Sequence, residues 1–152
     1  MLNVAHFRLH VVRPTLEHMN MWSPASENLV LATGIHESAL CYLKQIGGGP
    51  ALGVYQMEPA THKDIWLNFL KFRPELSKII VDLFHYTEAE SMIAHLGYAT
   101  AMCRLQYYRV PLALPESNDA VGMAEYWKKY YNTHLGAGTI EGFARDFREY
   151  AG

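Results

Sequence analysis

The chain is short of charge, of cysteine and of long apolar runs. Only 18% of its 152 residues are Asp, Glu, Lys or Arg, below the roughly 25% of an average soluble domain. With 13 Lys+Arg against 15 Asp+Glu the formal net charge is −2. That balance argues against a protein that works by neutralising nucleic-acid phosphates, so no nucleic-acid partner is expected. Protonation of the 8 His residues would turn the net charge positive, which confines attraction to polyanions to acid. Two cysteines, Cys41 and Cys103, make no disulfide framework, and neither lies in a CxxC. They read as two small buried thiols of a chain made in a reducing compartment. No apolar run approaches the ~18 residues of a membrane span, so stable membrane insertion is not expected. The first residues, Met1 to Met19, are interrupted by Arg8, His10, Arg13 and Glu17, and they do not read as a signal peptide.

Half of the residues are apolar, enough to bury a sizeable core. The length suits one domain, residues 1–152, and no repeat, low-complexity tract or linker divides it. The opening alternation Val4, His6, Arg8, His10 reads as a short strand or an arm. Helical spacing begins at Pro14. Ser26-Glu27-Asn28 reads as a helix start, and that helix runs to Ser38 or on through Leu43. Gly47-Gly48-Gly49-Pro50 must be a turn. Residues 51 to 57 alternate as a small β-hairpin arm would. Pro59 and Pro74 each fit the first position of a helix. Thr87-Glu88-Ala89-Glu90 reads as a capping box, opening a long central helix that carries Met92, Leu96, Ala99 and Cys103. Pro111 and Pro115 close it. A helix from Asp119 to Tyr131, a break at Gly136 and Gly138, and a last helix capped by Thr139 complete a mainly α chain.

Chemistry concentrates between Ala32 and His62. Glu37 lies among Ile35, Ala39 and Leu40, where a carboxyl would lose solvation and its pKa would rise. A carboxylic acid still protonated near neutral pH is what general acid catalysis on a glycosidic oxygen requires. An isolated Glu is far more often a solvated helix residue, so the context decides.

That context resembles the soluble lytic transglycosylases and goose-type lysozymes, including their phage versions. Glu37-Ser38 matches the family's Glu-Ser at a helix end. Gly53-Val54-Tyr55-Gln56-Met57-Glu58-Pro59-Ala60-Thr61 is close to its G-L-M-Q-I-x-P-A-T, and Tyr131-Asn132 resembles the start of its A-Y-N-A-G. The three occur in the family's order and span residues 26 to 135. The resemblance implies an α+β lysozyme-like fold, a helical domain around a long central helix with a β-hairpin beside the active-site groove. It implies that Glu37 protonates the oxygen between N-acetylmuramic acid and N-acetylglucosamine. Ser38 and Gln56 would hold substrate or the acid by hydrogen bonds, Tyr55 and Met57 would line the groove, and Tyr131 and Asn132 would approach Glu37 from a distant helix. Gly47 to Gly49 and Gly53 would form a groove wall without side chains. Peptidoglycan glycan strands are then the expected partner, and no cofactor is expected. A phage-type lytic enzyme, monomeric and made in the cytoplasm, would reach the wall through a pore or as part of a virion.

Glu58 bears on the outcome of the reaction. It stands where transglycosylases usually carry an apolar residue and goose-type lysozymes an Asp. An inverting hydrolase needs a second carboxylate, roughly 6.5–9.5 Å from the acid, to activate water. In a lytic transglycosylase the sugar's own 6-hydroxyl attacks, and one acid suffices. Glu58 reads equally as that second carboxylate or as a residue that complements a helix dipole before Pro59. The reading leans to hydrolysis. The alternative is a lysozyme-like domain that binds glycan, or builds a particle, without turnover.

The remaining polar residues carry less. Asp64 and Asp119 read as helix-start carboxylates. His6 and His10 share a face, but no third ligand at metal spacing accompanies them, so no metal is expected. His36 and His62 read as surface or supporting groups. Trp66 and Trp127 read as core, with the sugar groove as the lesser alternative for either. The run Tyr126-Trp127-Lys128-Lys129-Tyr130-Tyr131 divides on a helix into a buried aromatic face and a solvated Lys face.

Overall fold

A computed structural model describes residues 1–132 and 137–152; of the expected break, Gly136 lies outside them. The described chain is mainly helical. Helices α1 (Val4–Phe7) and α2 (Arg13–His18) are joined by a π-helical run, Arg8–Val12. They are followed by α3 (Pro24–Ser38), α4 (Pro59–Asn68), α5 (Pro74–Phe84), α6 (Ser91–Ala94), α7 (Leu96–Tyr108), α8 (Ala120–Tyr130) and α9 (Ile140–Asp146). A second π-helical run, Phe147–Ala151, ends the chain. None of the described helices is long and apolar enough to cross a membrane.

The opening segment is helical, not a strand or arm. Pro14 has no N–H and its ring crowds the carbonyl four residues back. The chain answers with a wider turn just before it, in which the Arg13 N–H reaches the Arg8 carbonyl. The buried residues follow that change of register. Phe7 and Val12 are five apart, Val12 and Leu16 four, and Leu16 and Met19 three, so one face stays apolar through the turn.

Helix α3 begins earlier than its sequence indicates. Ser23 is the N-cap and forms a reciprocal capping box with Ser26, and Pro24 takes the first position, where its missing N–H costs nothing. Every residue from Ser26 to Ile35 is buried, which makes α3 as central as α7. Glu27 in its first turn accepts from Arg13 Nε (2.6 Å), Arg8 Nη1 (2.8 Å) and Trp22 Nε1 (3.2 Å). Arg8 also reaches Asn28 Oδ1 and the Ala151 carbonyl. One carboxylate thereby ties the first helices and the C-terminus to α3.

The expected hairpin is reduced to two isolated antiparallel bridges, Lys44 with Leu52 and Leu52 with Met57, around a tight turn at residues 53–56. Gly53 makes that turn possible. Its φ is +74°, and a Cβ there would stand 2.6 Å from the Met92 carbonyl oxygen. The expected long helix from Thr87 is also interrupted. It starts at Ser91 without a side-chain cap, stops at Ala94 and resumes at Leu96, with His95 extended between. Tertiary contacts hold the break, because Tyr86 stacks on His95 at 4.2 Å and Met92 packs on Gly53. The turn at Gly47-Gly48, the helices at Pro59 and Pro74, and the caps at Asp119 and Thr139 stand where the sequence places them. Cys103 is buried as expected, whereas Cys41 is exposed.

Two outcomes follow from the buried polar groups. Glu27→Ala leaves Arg8 and Arg13 without their shared acceptor, and should cost about 2–4 kcal/mol in denaturant unfolding. His62 is buried against Tyr98, whose oxygen accepts from Trp66 and stands 2.6 Å from His62 Nε2. Burial holds His62 neutral, its pKa lowered to about 4. A depressed histidine stabilises the fold above its unfolded pKa of 6.5 and loses that contribution as pH falls toward 4. Unfolding curves should show a loss of up to about 3 kcal/mol across that window, and His62→Gln should flatten it.

Candidate active site

Glu37 and Ser38 are the last two residues of α3. The chain then leaves the helix through Ala39 and Leu40, with φ of 53° and 51°. Two consecutive non-glycine residues in the left-handed region are costly, and local bonds hold them there. The Ala39 N–H reaches the Ile35 carbonyl at 2.8 Å and the Leu40 N–H reaches Ser38 Oγ at 3.2 Å. Gln56, at φ 48°, is a third such residue beside the same site.

Glu37 opens into a cavity of about 600 Å³, bordered by His36, Ser38, Gln56, Glu58, Trp127 and Asn132 among others. This is within the range of small-ligand pockets. Burial pushes the Glu37 carboxyl above the usual carboxylate range. The Trp127 indole opposes that push by donating Nε1–H to Glu37 Oε1 at 2.9 Å, and the charges of His36 and Lys128 add to it, without cancelling the effect of burial. A carboxyl in this state can hand a proton to an oxygen seated in the cavity.

The other expected site residues divide into those that face the cavity and those beneath it. Glu58 is exposed and borders the cavity beside Glu37. It is also the N-cap of α4, with no side-chain capping bond. Gln56 borders the cavity while its Nε2 donates to the Gly53 carbonyl at 2.9 Å. Asn132 borders it too, its Oδ1 accepting from Lys128 Nζ at 2.9 Å. Ser38 is buried, and its Oγ lies 2.7 Å from the Val54 carbonyl and 3.1 Å from that of Gly34. It therefore pins the helix end to the 53–56 turn.

Tyr55 and Met57 do not line the cavity. They are 1% and 3% exposed, because the turn directs them into the core, where Tyr55 Oη meets Thr100 Oγ1 at 2.8 Å. Tyr131 lies beneath as well. It stacks on Tyr107 and donates to the Tyr55 carbonyl at 2.7 Å. The glycines of the 47–49 turn and Gly53 are likewise not among the bordering residues, and the glycine that is there is Gly138.

Trp127, expected in the core with the groove as the lesser alternative, does both. It is fully buried, yet it edges the cavity and donates to the acid. His36 bonds Asp146 through Nδ1 at 2.7 Å and packs edge-on against Trp127. No sequence pattern could pair positions 110 residues apart. Lys128, expected on a solvated face, reaches the Gly138 carbonyl at 2.7 Å. Gly138 must be glycine, since a Cβ would stand 2.5 Å from the Trp127 ring. Asp64 pairs with Arg109 instead of entering the site. Among the described residues no group of three or more His, Cys, Asp or Glu could hold a metal ion.

Compared with protein-family models, curated proteins and solved structures, the chain matches none of them. Any functional reading therefore rests on the site's own chemistry and on the motif resemblance.

The indole bond to Glu37 is open to a direct test. Trp127→Phe removes a donor that favours the ionised carboxyl, so Glu37 should titrate at still higher pH. Carboxyl-carbon NMR of the parent and the variant would read the shift. An unchanged Glu37 titration would show that the bond does not set its proton affinity.

Proposed function

We propose that the protein is a peptidoglycan-cleaving glycosidase acting on the β-1,4 bond between N-acetylmuramic acid and N-acetylglucosamine, with Glu37 as general acid. The observation that carries this reading is Glu37 itself, a carboxyl whose pKa burial raises, opening into a cavity of about 600 Å³. Trp127 engages Oε1, so the proton leaves from Oε2 toward the bridging oxygen. As the bond breaks, Glu37 becomes a carboxylate that the indole and the nearby positive charge of Lys128 stabilise. The strained backbone at Ala39, Leu40 and Gln56 supports the reading too, since strain of this kind clusters at active sites.

Glu58 is the water-activating carboxylate of this proposal. It borders the same cavity, is exposed to solvent, and has no capping bond to occupy it. Hydrolysis with inversion is the expected outcome. Activity then depends on a protonated Glu37, and it falls as pH rises through the raised pKa.

Mass spectrometry of the soluble products from purified peptidoglycan tests both halves. Reducing muropeptide ends are expected. Anhydromuramoyl ends would make the enzyme a lytic transglycosylase and return Glu58 to a supporting place. No soluble fragments from folded protein would leave a glycan-binding or particle-building domain. Glu37→Gln should lower turnover by at least about 10²–10⁴-fold. The amide removes the cost of a buried charge, so this variant should be no less stable than the parent at pH 8, with the gap closing toward pH 4.

A further inference from the structure

A second cavity, of about 760 Å³, lies away from Glu37 and shares no bordering residue with its pocket. It is bordered by Ser23, the N-cap of α3. Fourteen residues of helix separate that end from Glu37, about 21 Å along the axis. Trp22, Phe72, Ile79 and Tyr108 supply apolar and aromatic walls. The charged residues at its border are Arg73, Glu75 and Arg104.

Arg104 is the anomaly. It projects from α7, is 8% exposed, and its Nε and Nη1 are buried with no hydrogen-bond partner. Among the described residues no ion pair includes it. Its one aromatic contact places the guanidinium over the Tyr108 ring at 5.4 Å. A buried cation without a counter-charge is among the costliest arrangements a core can hold. Even the partly exposed guanidiniums of Arg8, Arg13 and Arg109 are paired, the first two with Glu27 and the third with Asp64.

We infer that this cavity binds a small organic monocarboxylate with an apolar body, its carboxylate on Arg104 and its body against Trp22, Phe72 and Tyr108. Nη2, the guanidinium nitrogen that is not among its enclosed atoms, offers the carboxylate a charge-assisted hydrogen bond. Two guanidiniums and one carboxylate leave the border with a single positive charge, which a monocarboxylate neutralises and a phosphate dianion overshoots. The volume falls within that of small-ligand pockets. Arg104 also borders a smaller cavity, of about 390 Å³, beside residues 110–114. That cavity holds no second cation, so the larger one is the site.

The test uses 3-phenylpropionate as probe and its neutral amide as control. The acid should bind the intact protein with a Kd of 1 mM or below by calorimetry, and should raise its Tm by about 3 °C at ten-fold saturation. The amide should bind at least ten-fold more weakly. Arg104→Met should fold with a Tm no lower than the parent, because it removes an unpaired buried charge, and should lose acid binding by at least ten-fold. If that variant does not fold, Ile79→Trp, at a partly exposed position on the cavity wall, keeps Arg104 and should still abolish binding by filling the space. No binding of the acid up to 10 mM, equal binding of acid and amide, or undiminished binding by Arg104→Met or Ile79→Trp would each overturn the inference. None of these readouts depends on cleavage of peptidoglycan.

Discussion

Helix α3 is buried on every side from Ser26 to Ile35, and a helix so placed must satisfy each polar group it takes out of water. The rest of the fold is arranged around that requirement. Ser23 and Ser26 close the N-terminal donors reciprocally. Glu27 takes two guanidiniums and an indole, Asn28 meets Arg8 and the Ser117 carbonyl, and Thr33 meets Tyr107. These bonds draw in the π-helical run Arg8–Val12, α2, α7, the 110–118 segment and the C-terminus. At the far end Ser38 meets the Val54 carbonyl, which brings the 53–56 turn against the last turn of the helix.

The same helix carries two carboxyls whose pKa values move in opposite directions. Glu27 stands to lose ionisation by burial, but the guanidiniums of Arg13 and Arg8 and the indole of Trp22 outweigh that loss and hold its pKa below the usual range. Glu37 suffers the same loss and has an indole with more distant positive charge in place of a salt bridge, so its pKa stays raised. Burial is common to both, and the partner decides the outcome. A fixed counter-charge gives a structural anchor, and a neutral donor leaves an acid able to release its proton.

The candidate site is also braced by the core beneath it. Tyr131 donates to the Tyr55 carbonyl, Tyr55 meets Thr100, and Gly138 lets the chain before α9 lie directly on Trp127 and His36. Residues that the motifs suggested as groove lining thus hold the turn that presents Gln56 and Glu58. A cavity supported in this way keeps its bordering groups in place without relying on a bound ligand.

Much of the helical frame was legible in the sequence. Prolines at 59 and 74, caps at Asp119 and Thr139 and the triple glycine act through local sterics and local hydrogen bonds, which neighbours in the chain suffice to determine. Glu37 was legible as a carboxyl in apolar company, because Ile35, Ala39 and Leu40 stand beside it in the chain. What was misread depended on distant partners. The break at His95 and the loss of the hairpin each answer to packing against other elements. The inward turn of Tyr55 and Met57, the Trp127 bond to Glu37, the His36–Asp146 pair and the unpartnered Arg104 likewise join residues far apart in the chain. By itself the sequence determined several helix starts and stops, at Pro59, Pro74, Asp119 and Thr139, and marked one carboxyl in apolar company. Only the tertiary structure decided which partner each buried charge would meet, because burial and pairing are set by the approach of elements that no local pattern brings together.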